Sequence, residues 1–262
     1  MADGAGVGGD LGGAAAVTTK VKQGLFRELF GTIVPAIAIA VAIQAVLIKP
    51  FRIPSESMLP TLLVGDYLFV SKFAYGYSRY SFPFSPPLFS GRIFGSLPQR
   101  GDVAVFRLPL NDTEDYIKRV VGLPGDTVQM IGGVLHLNGS PVPREPLPDY
   151  TAEVEGRMVK AAQWRETLPN GVSYATLDLD PAGPLDDAGP FRVPPGHLFM
   201  MGDNRDDSAD SRMQSVVGYV PVENLVGRAE IIFFSVRGGA SAWEFWRWPE
   251  TVRTERLLTR VR

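Results

Sequence analysis

The run Asp115-Tyr116-Ile117-Lys118-Arg119-Val120-Val121-Gly122-Leu123-Pro124-Gly125-Asp126 decides the fold class. Its centre is rich in β-branched residues and it closes on a Pro-Gly turn, which reads as a strand. Strand alternation puts Tyr116, Lys118 and Val120 on one face and Ile117, Arg119 and Val121 on the other. Lys118 therefore shares its face with an aromatic and a β-branched neighbour. Burial against such neighbours lowers the pKa of an amine and can leave it neutral. Taken alone, a lysine in a strand is most simply an exposed edge residue.

Working outward, the same signals recur. Tyr67 to Phe73 and Asp102 to Phe106 read as strands, as do His197 to Met201, Gly218 to Val222 and Ala229 to Val236. Val128 to Ile131 and Val134 to Leu137 form a hairpin across Gly132-Gly133, and Asn138-Gly139 turns the chain again. The 28 glycines and 22 prolines suit short strands and many turns. The soluble part is thus mainly β. Residues 127–195 change character, with Pro141, Pro143, Pro146 and Pro148, a hairpin signal at Asn170-Gly171 and an acidic stretch from Asp178 to Pro190. They read as an inserted β-rich subdomain carrying no constellation of chemical side chains. Residues 49–126 and 196–262 are left as the core.

The N-terminal part differs. Residues 1–28 read as a disordered tail, Gly- and Ala-rich at first and then basic. Leu29 to Ile48 is an uncharged run of 20 residues, about 30 Å as a helix, which matches the hydrocarbon core of a bilayer. Pro35 and Gln44 are tolerable in such a helix. Lys20, Lys22 and Arg27 precede the run, whereas Lys49 and Arg52 follow it, so the positive-inside rule leans towards a cytoplasmic N-terminus. No second run of that length follows, which places everything after Lys49 on one side of the membrane. The aromatic stretches 74–99 and 243–248 suit either a lipid-touching rim or packed corners.

Composition excludes several functions. A formal net charge of −2 argues against nucleic acid as a partner. With no cysteine, a thiol nucleophile and a disulfide framework are ruled out, and two histidines restrict metal sites and triads. A G-x-S-x-G elbow and a P-loop are absent. The acidic stretch from Asp203 to Asp210 fails as a calcium loop, because Arg205 stands where a ligand is needed.

One serine stands out. In Ile53-Pro54-Ser55-Glu56-Ser57-Met58-Leu59-Pro60-Thr61-Leu62 two prolines brace two serines directly after the apolar run. Ser57 lies eight residues past Lys49, so a fully extended chain puts it at most roughly 26–29 Å from the membrane boundary. A serine nucleophile needs a base, which a neutral amine can provide. On the residues alone, Lys118 and a triad through His136 or His197 both stay open, as does a membrane-anchored module that grips peptides without cutting them.

Four stretches in order resemble bacterial type I signal peptidases, membrane-anchored serine proteases that remove signal peptides from exported proteins. They are Pro54 to Leu62, Arg100 to Phe106, Tyr116 to Asp126 and Gly202-Asp203-Asn204-Arg205-Asp206-Asp207-Ser208-Ala209-Asp210-Ser211-Arg212. The resemblance implies a signal-peptidase-like β-sheet catalytic domain behind a single transmembrane helix, without metal or cofactor. It makes Ser57 the nucleophile and Lys118 the general base. Ser55 becomes an oxyanion donor, and Ser208 the hydroxyl that orients the lysine amine. Asp210 with Arg212, and Asp203 with Arg119, match supporting charge pairs. Phe51, Ile53, Pro54, Met58, Leu62, Tyr116 and Ile117 stand where the family lines shallow pockets for small side chains, as in Ala-x-Ala. The implied partners are signal peptides and the lipid bilayer. The implied location is the bacterial inner membrane, with the catalytic domain on its periplasmic side. Glu56, where the family often has glycine, is a departure.

Overall fold

The computed structural model describes residues 29–82, 85–87, 89–154 and 157–262. The expected tail, residues 1–28, lies outside them. The chain divides into two units, at Met1–Gln44 and Ala45–Arg262.

In the first unit a π-helical turn, Leu29–Ile33, runs into helix α1, Val34–Val46. Pro35 lacks an amide hydrogen, so the ordinary i to i−4 ladder cannot pass through it, and the change of helix type beside it follows. The α-helical part has 13 residues, about 20 Å. Among the described residues no helix is long and apolar enough to cross a membrane. Ile48, assigned to the apolar run from sequence, instead begins the first strand.

The second unit is mainly β. Its strands are β1 Ile48–Arg52, β2 Asp66–Ser71, β3 Val103–Arg107, β4 Asp115–Gly122, β5 Thr127–Ile131, β6 Val134–Leu137, β7 Ser140–Pro141, β8 Arg144–Val154, β9 Arg157–Thr167, β10 Ser173–Asp178, β11 Ala188–Arg192, β12 His197–Met201, β13 Val220–Pro221, β14 Leu225–Ser235 and β15 Thr259–Arg260. The largest sheet has the order β1-β2-β14-β3-β4-β12-β13, with β15 also on β14. Two smaller sheets, β10-β9-β8 and β11-β5-β6-β7, arise from residues 127–192. A short helix, α2, covers Trp248–Thr251.

Alternation sorts the apolar side chains onto opposite faces. Val103 and Val105 of β3 join Ile117 of β4 in one cluster with Ile53, Met58, Leu62 and Leu68. Ala104 and Phe106 join Val120 in another with Leu198 and Met200. A third cluster packs Val121, Phe199 and Met201 against β5 and β6 through Val128, Met130 and Leu135. Gly122 sits at this join, where a Cβ would meet Val128 and Phe199 at 2.7 and 2.8 Å. Trp243, Phe245 and Trp246 stay largely exposed rather than packed into a corner.

Candidate active site

Ser57 sits in a single tight turn. Leu59 N–H donates to Glu56 O at 2.9 Å and Leu62 N–H to Met58 O at 2.9 Å. Met58 and Leu62 have no exposed surface, so the turn is anchored in the core on either side of Pro60. Strand β4 runs past it in register with β3, Lys118 opposite Ala104. The small Ala104 leaves room beside the lysine stem. Lys118 Nζ lies 2.6 Å from Ser57 Oγ, across 61 residues of sequence. Both residues are buried, with 4% and 7% of their surface exposed.

Burial pushes the Lys118 amine down to about 8, although Asp210, Asp203 and Asp207 pull the other way. At pH 7 roughly a tenth of the amine is then unprotonated, and about half at pH 8. In that state its lone pair is free to accept a hydrogen bond from the Ser57 hydroxyl along the same contact. The Tyr116 ring lies 5.4 Å from the amine and forms part of the apolar surroundings. Ser55 Oγ is 3.4 Å from Ser57 Oγ and exposed to solvent.

The loop after β12 backs this pair. Asn204 N–H donates to Ser57 O at 3.2 Å, and Asn204 Nδ2 donates to Glu56 O at 3.3 Å. Arg119 holds the loop through Asp203, with Nε and Nη2 at 2.7 and 2.6 Å from the two carboxylate oxygens. Its remaining donors reach Gly101 O and Arg262 O, and its guanidinium stacks over Tyr174 at 4.1 Å. Arg212 grips Asp210 with two bonds of 2.9 and 2.8 Å, and both side chains are fully buried. Burial works to raise the Asp210 carboxyl, but Arg212 and two backbone N–H donors hold it below its ordinary value.

Ser208 is placed differently from the expected role. Its hydroxyl is buried beside the site but makes no hydrogen bond, to Lys118 or to anything else. Gly202 explains how closely the elements approach. A Cβ there would meet Ser208 Oγ at 2.2 Å and the Ser57 carbonyl at 2.5 Å. Gly202→Ala should therefore shift the serine turn. A loss of stability of about 1–3 kcal/mol is expected, as for overpacked cores, together with a fall in activity, checked by urea unfolding and by kcat.

The pocket residues divide. Phe51, Pro54 and Tyr116 keep accessible surface, whereas Ile53, Met58 and Leu62 are no more than 1% exposed and Ile117 is 5% exposed. These last four join one core cluster. They shape the ground beneath the site and offer almost no surface of their own in this form. Alternation along β4 turns Ile117 inward, and Ile53, Met58 and Leu62, which lie in the turn after β1, pack onto the same core cluster.

The histidines are elsewhere. His136 Nδ1 faces Val134 O and His197 Nδ1 faces Pro195 O, each at 3.0 Å, and neither is bonded to Ser57. Among the described residues no group of three or more His, Asp or Glu side chains is arranged to hold a metal ion.

Several contributors lie in the segment where the sequence shows no chemistry. Glu166 of β9 bonds Arg205 Nη2 at 2.5 Å and the Tyr174 hydroxyl at 2.9 Å. Leu177 exchanges backbone bonds with Asp203 and Arg205, both 2.9 Å. Asp206 accepts from the amides of Leu179 and Asp180. Sheet β10-β9-β8 is thus the prop of the loop that steadies Ser57. Glu166 stands between Arg165 and Thr167, as one more polar residue near the end of a strand, so no local signal could have found it. Thr61, which donates to Asp203 at 2.5 Å, is equally silent in sequence.

Known proteins carry the same arrangement of sequence. The signal peptidase, peptidase S26, family matches residues 26–234. The signal peptidase I of Rickettsia typhi is 40% identical over 227 residues, covering 84% of each chain. That of Rickettsia canadensis is 43% identical over 209 residues, covering 77% of each. A solved signal peptidase I from Enterococcus faecalis aligns at 25% identity over 51% of this chain and 97% of its own. Its TM-score is 0.30, too loose a superposition to argue from. With most of its length matched, the chain belongs to the signal peptidase family, peptidase S26.

Proposed function

We propose that this chain is a membrane-anchored endopeptidase that removes N-terminal signal peptides from preproteins, cutting after small residues with Ser57 as nucleophile and Lys118 as general base. The observation that carries the reading is the buried Lys118 Nζ, 2.6 Å from Ser57 Oγ, with its amine pushed down to about 8. Geometry and protonation both suit a base.

The chemistry follows in two halves. Ser57 Oγ attacks the scissile carbonyl carbon while its proton passes to Lys118 Nζ. The resulting ammonium gives that proton to the leaving amine as the C–N bond breaks, which leaves an acyl-enzyme. Lys118 then takes a proton from the water that attacks the ester carbonyl, and returns it to Ser57 Oγ as the C–O bond breaks, which releases the acyl fragment as its carboxylic acid and regenerates the neutral amine. The oxyanion formed in each half is met by the Ser57 backbone N–H and the Ser55 hydroxyl. Ser55→Ala should lower kcat by about 10²-fold with a smaller change in KM, as removal of one oxyanion donor does elsewhere. Initial rates on a preprotein substrate check this.

An extended peptide is read by strand addition. Among the described residues, the outer edge of β1, first in its sheet, and the outer edge of β4 before residue 119 both lack a strand partner. Phe51, Pro54 and Tyr116 supply the accessible apolar surface there. The bulk around the dyad favours small residues next to the cut.

The anchor is the apolar run 29–48. No charged residue interrupts it, and Phe30, Ile37 and Ile39 are more than half exposed, so its surface suits lipid. The short tether from Lys49 to Ser57 suits a substrate held in the same bilayer. The catalytic domain lies on the periplasmic side of the inner membrane, where preproteins emerge. The deciding experiment is cleavage of an Ala-x-Ala preprotein by the full chain in detergent. The purified protein should cut it once, after the second alanine. Intact preprotein, with the enzyme folded, would refute the reading.

A further inference from the structure

Strands β1 and β4 are not neighbours in the sheet, yet the stretch from β1 into the serine turn meets β4 at two places. One is the contact between Ser57, just beyond β1, and Lys118. The other is an ion pair between Lys49 of β1 and Asp115 of β4. Both strands run from the ion pair towards the dyad, so the sheet curls until its edges face each other across a slot. Among the described residues no strand pairs with either edge along this stretch.

The position of the ion pair is informative. Asp115 precedes Lys118 by three residues, roughly 10 Å along a strand. Alternation puts Lys49 with Phe51, and Asp115 with Ile117, on the face of the slot that carries the core cluster. Asp115 is fixed from its own sheet by Arg107, its cross-strand partner, at 3.2 Å. Lys49 reaches it from the opposite wall and is one-third exposed. The buried Lys72 sits close to both charges and adds to the positive side of the cluster.

We propose that the Lys49–Asp115 pair is a strap across the upstream end of the substrate slot, which limits how many residues before the cut bind in extended form. The proposal rests on the proposed function, and it names Lys49 and Asp115 as positioning residues. A peptide strand lying between β1 and β4 has about three residues of free edge between the dyad and the strap. Beyond that point it must leave the slot or open the pair. The strap thus marks where the extended part of a substrate ends.

The test compares peptides of one cleavage sequence that carry either three or seven residues before the cut. The readout is the ratio of kcat/KM for the long peptide to that for the short one, taken within each enzyme. For the wild-type chain a ratio near one is expected. In Lys49→Met the ratio should rise about fivefold, the worth of one added net backbone hydrogen bond, with the gain in KM. Lys49→Arg keeps the charge and should keep the wild-type ratio. Asp115→Asn is a second variant and should shift the ratio in the same direction as Lys49→Met. A wild-type ratio in both Lys49→Met and Asp115→Asn would overturn the strap. Cleavage that persists in Ser57→Ala would instead overturn the proposed function, so the two failures are distinguishable.

Discussion

Replacing Lys118 by methionine is expected to lower kcat/KM by about 10²–10⁴-fold, the range that a general base contributes, while the chain stays folded. Methionine keeps the length and apolar stem of the lysine, so packing against Tyr116 and the β4 face persists. Ser57→Ala should be at least as severe. The two residues act as one unit, so the double variant should be little worse than the poorer single one. Measured kcat/KM on one preprotein for the three enzymes checks this. Full activity in Lys118→Met would sink the dyad.

The pH profile gives the sign independently. Lys118 is pushed down to about 8 from an ordinary 10.5. Only the neutral amine accepts the serine proton, so kcat/KM should fall about tenfold per pH unit on the acid side of that value. It should level off above it. Stability at this site runs the same way. Between about 8 and 10.5 the unfolded chain holds a proton on Lys118 that the folded chain has released, so stability rises with pH across that window. Below it the buried cation is a net cost. Lys118→Met should accordingly leave stability unchanged or raised at pH 7, which separates loss of chemistry from loss of fold.

The second large effect concerns Arg119. Its guanidinium is fully buried and its partner Asp203 is 1% exposed. Asp203→Ala would strand that cation in the interior, and breaking such a pair costs about 3–5 kcal/mol. Urea unfolding should show a lowered midpoint at an unchanged slope. Arg119→Met should cost a comparable amount, since it leaves the buried Asp203 carboxylate with the Thr61 hydroxyl as its side-chain donor. The Asp203→Ala, Arg119→Met double variant should recover part of the loss, because no lone charge is left. Activity should fall in Asp203→Ala too, for Asn204 of the same loop holds the Ser57 carbonyl.

Much of the fold is legible because the strands alternate. Val103 and Val105 pack on one face and Ala104 and Phe106 on the other, as a period of two requires. The edges are less legible. The strand read from Tyr67 to Phe73 gives way at Lys72 to a 3₁₀ turn, and the last long strand starts at Leu225 rather than Ala229. Both shifts come from pairing partners far along the chain, which no local window contains. The helix is the reverse case. Its apolar length is plain in the sequence, but beside Pro35, at Ile33 and Val34, it changes from a π-helical turn to a 13-residue α-helix.

By itself the sequence determined a Pro-braced serine, a strand lysine with apolar neighbours, a mainly β domain and the likeness that ties these together. Periodicity, turn chemistry and motif order are local properties, and a chain displays them without folding. Only the tertiary structure decided that Ser57 and Lys118 meet, because the closing of a curled sheet over 61 residues has no local signature. It also decided that Ile53, Met58 and Leu62 face the core, that the Ser208 hydroxyl stands without a hydrogen-bond partner, and that Glu166 props the loop behind Ser57. Each of those is a matter of which distant surfaces exclude water together, and burial is a property of the packed whole.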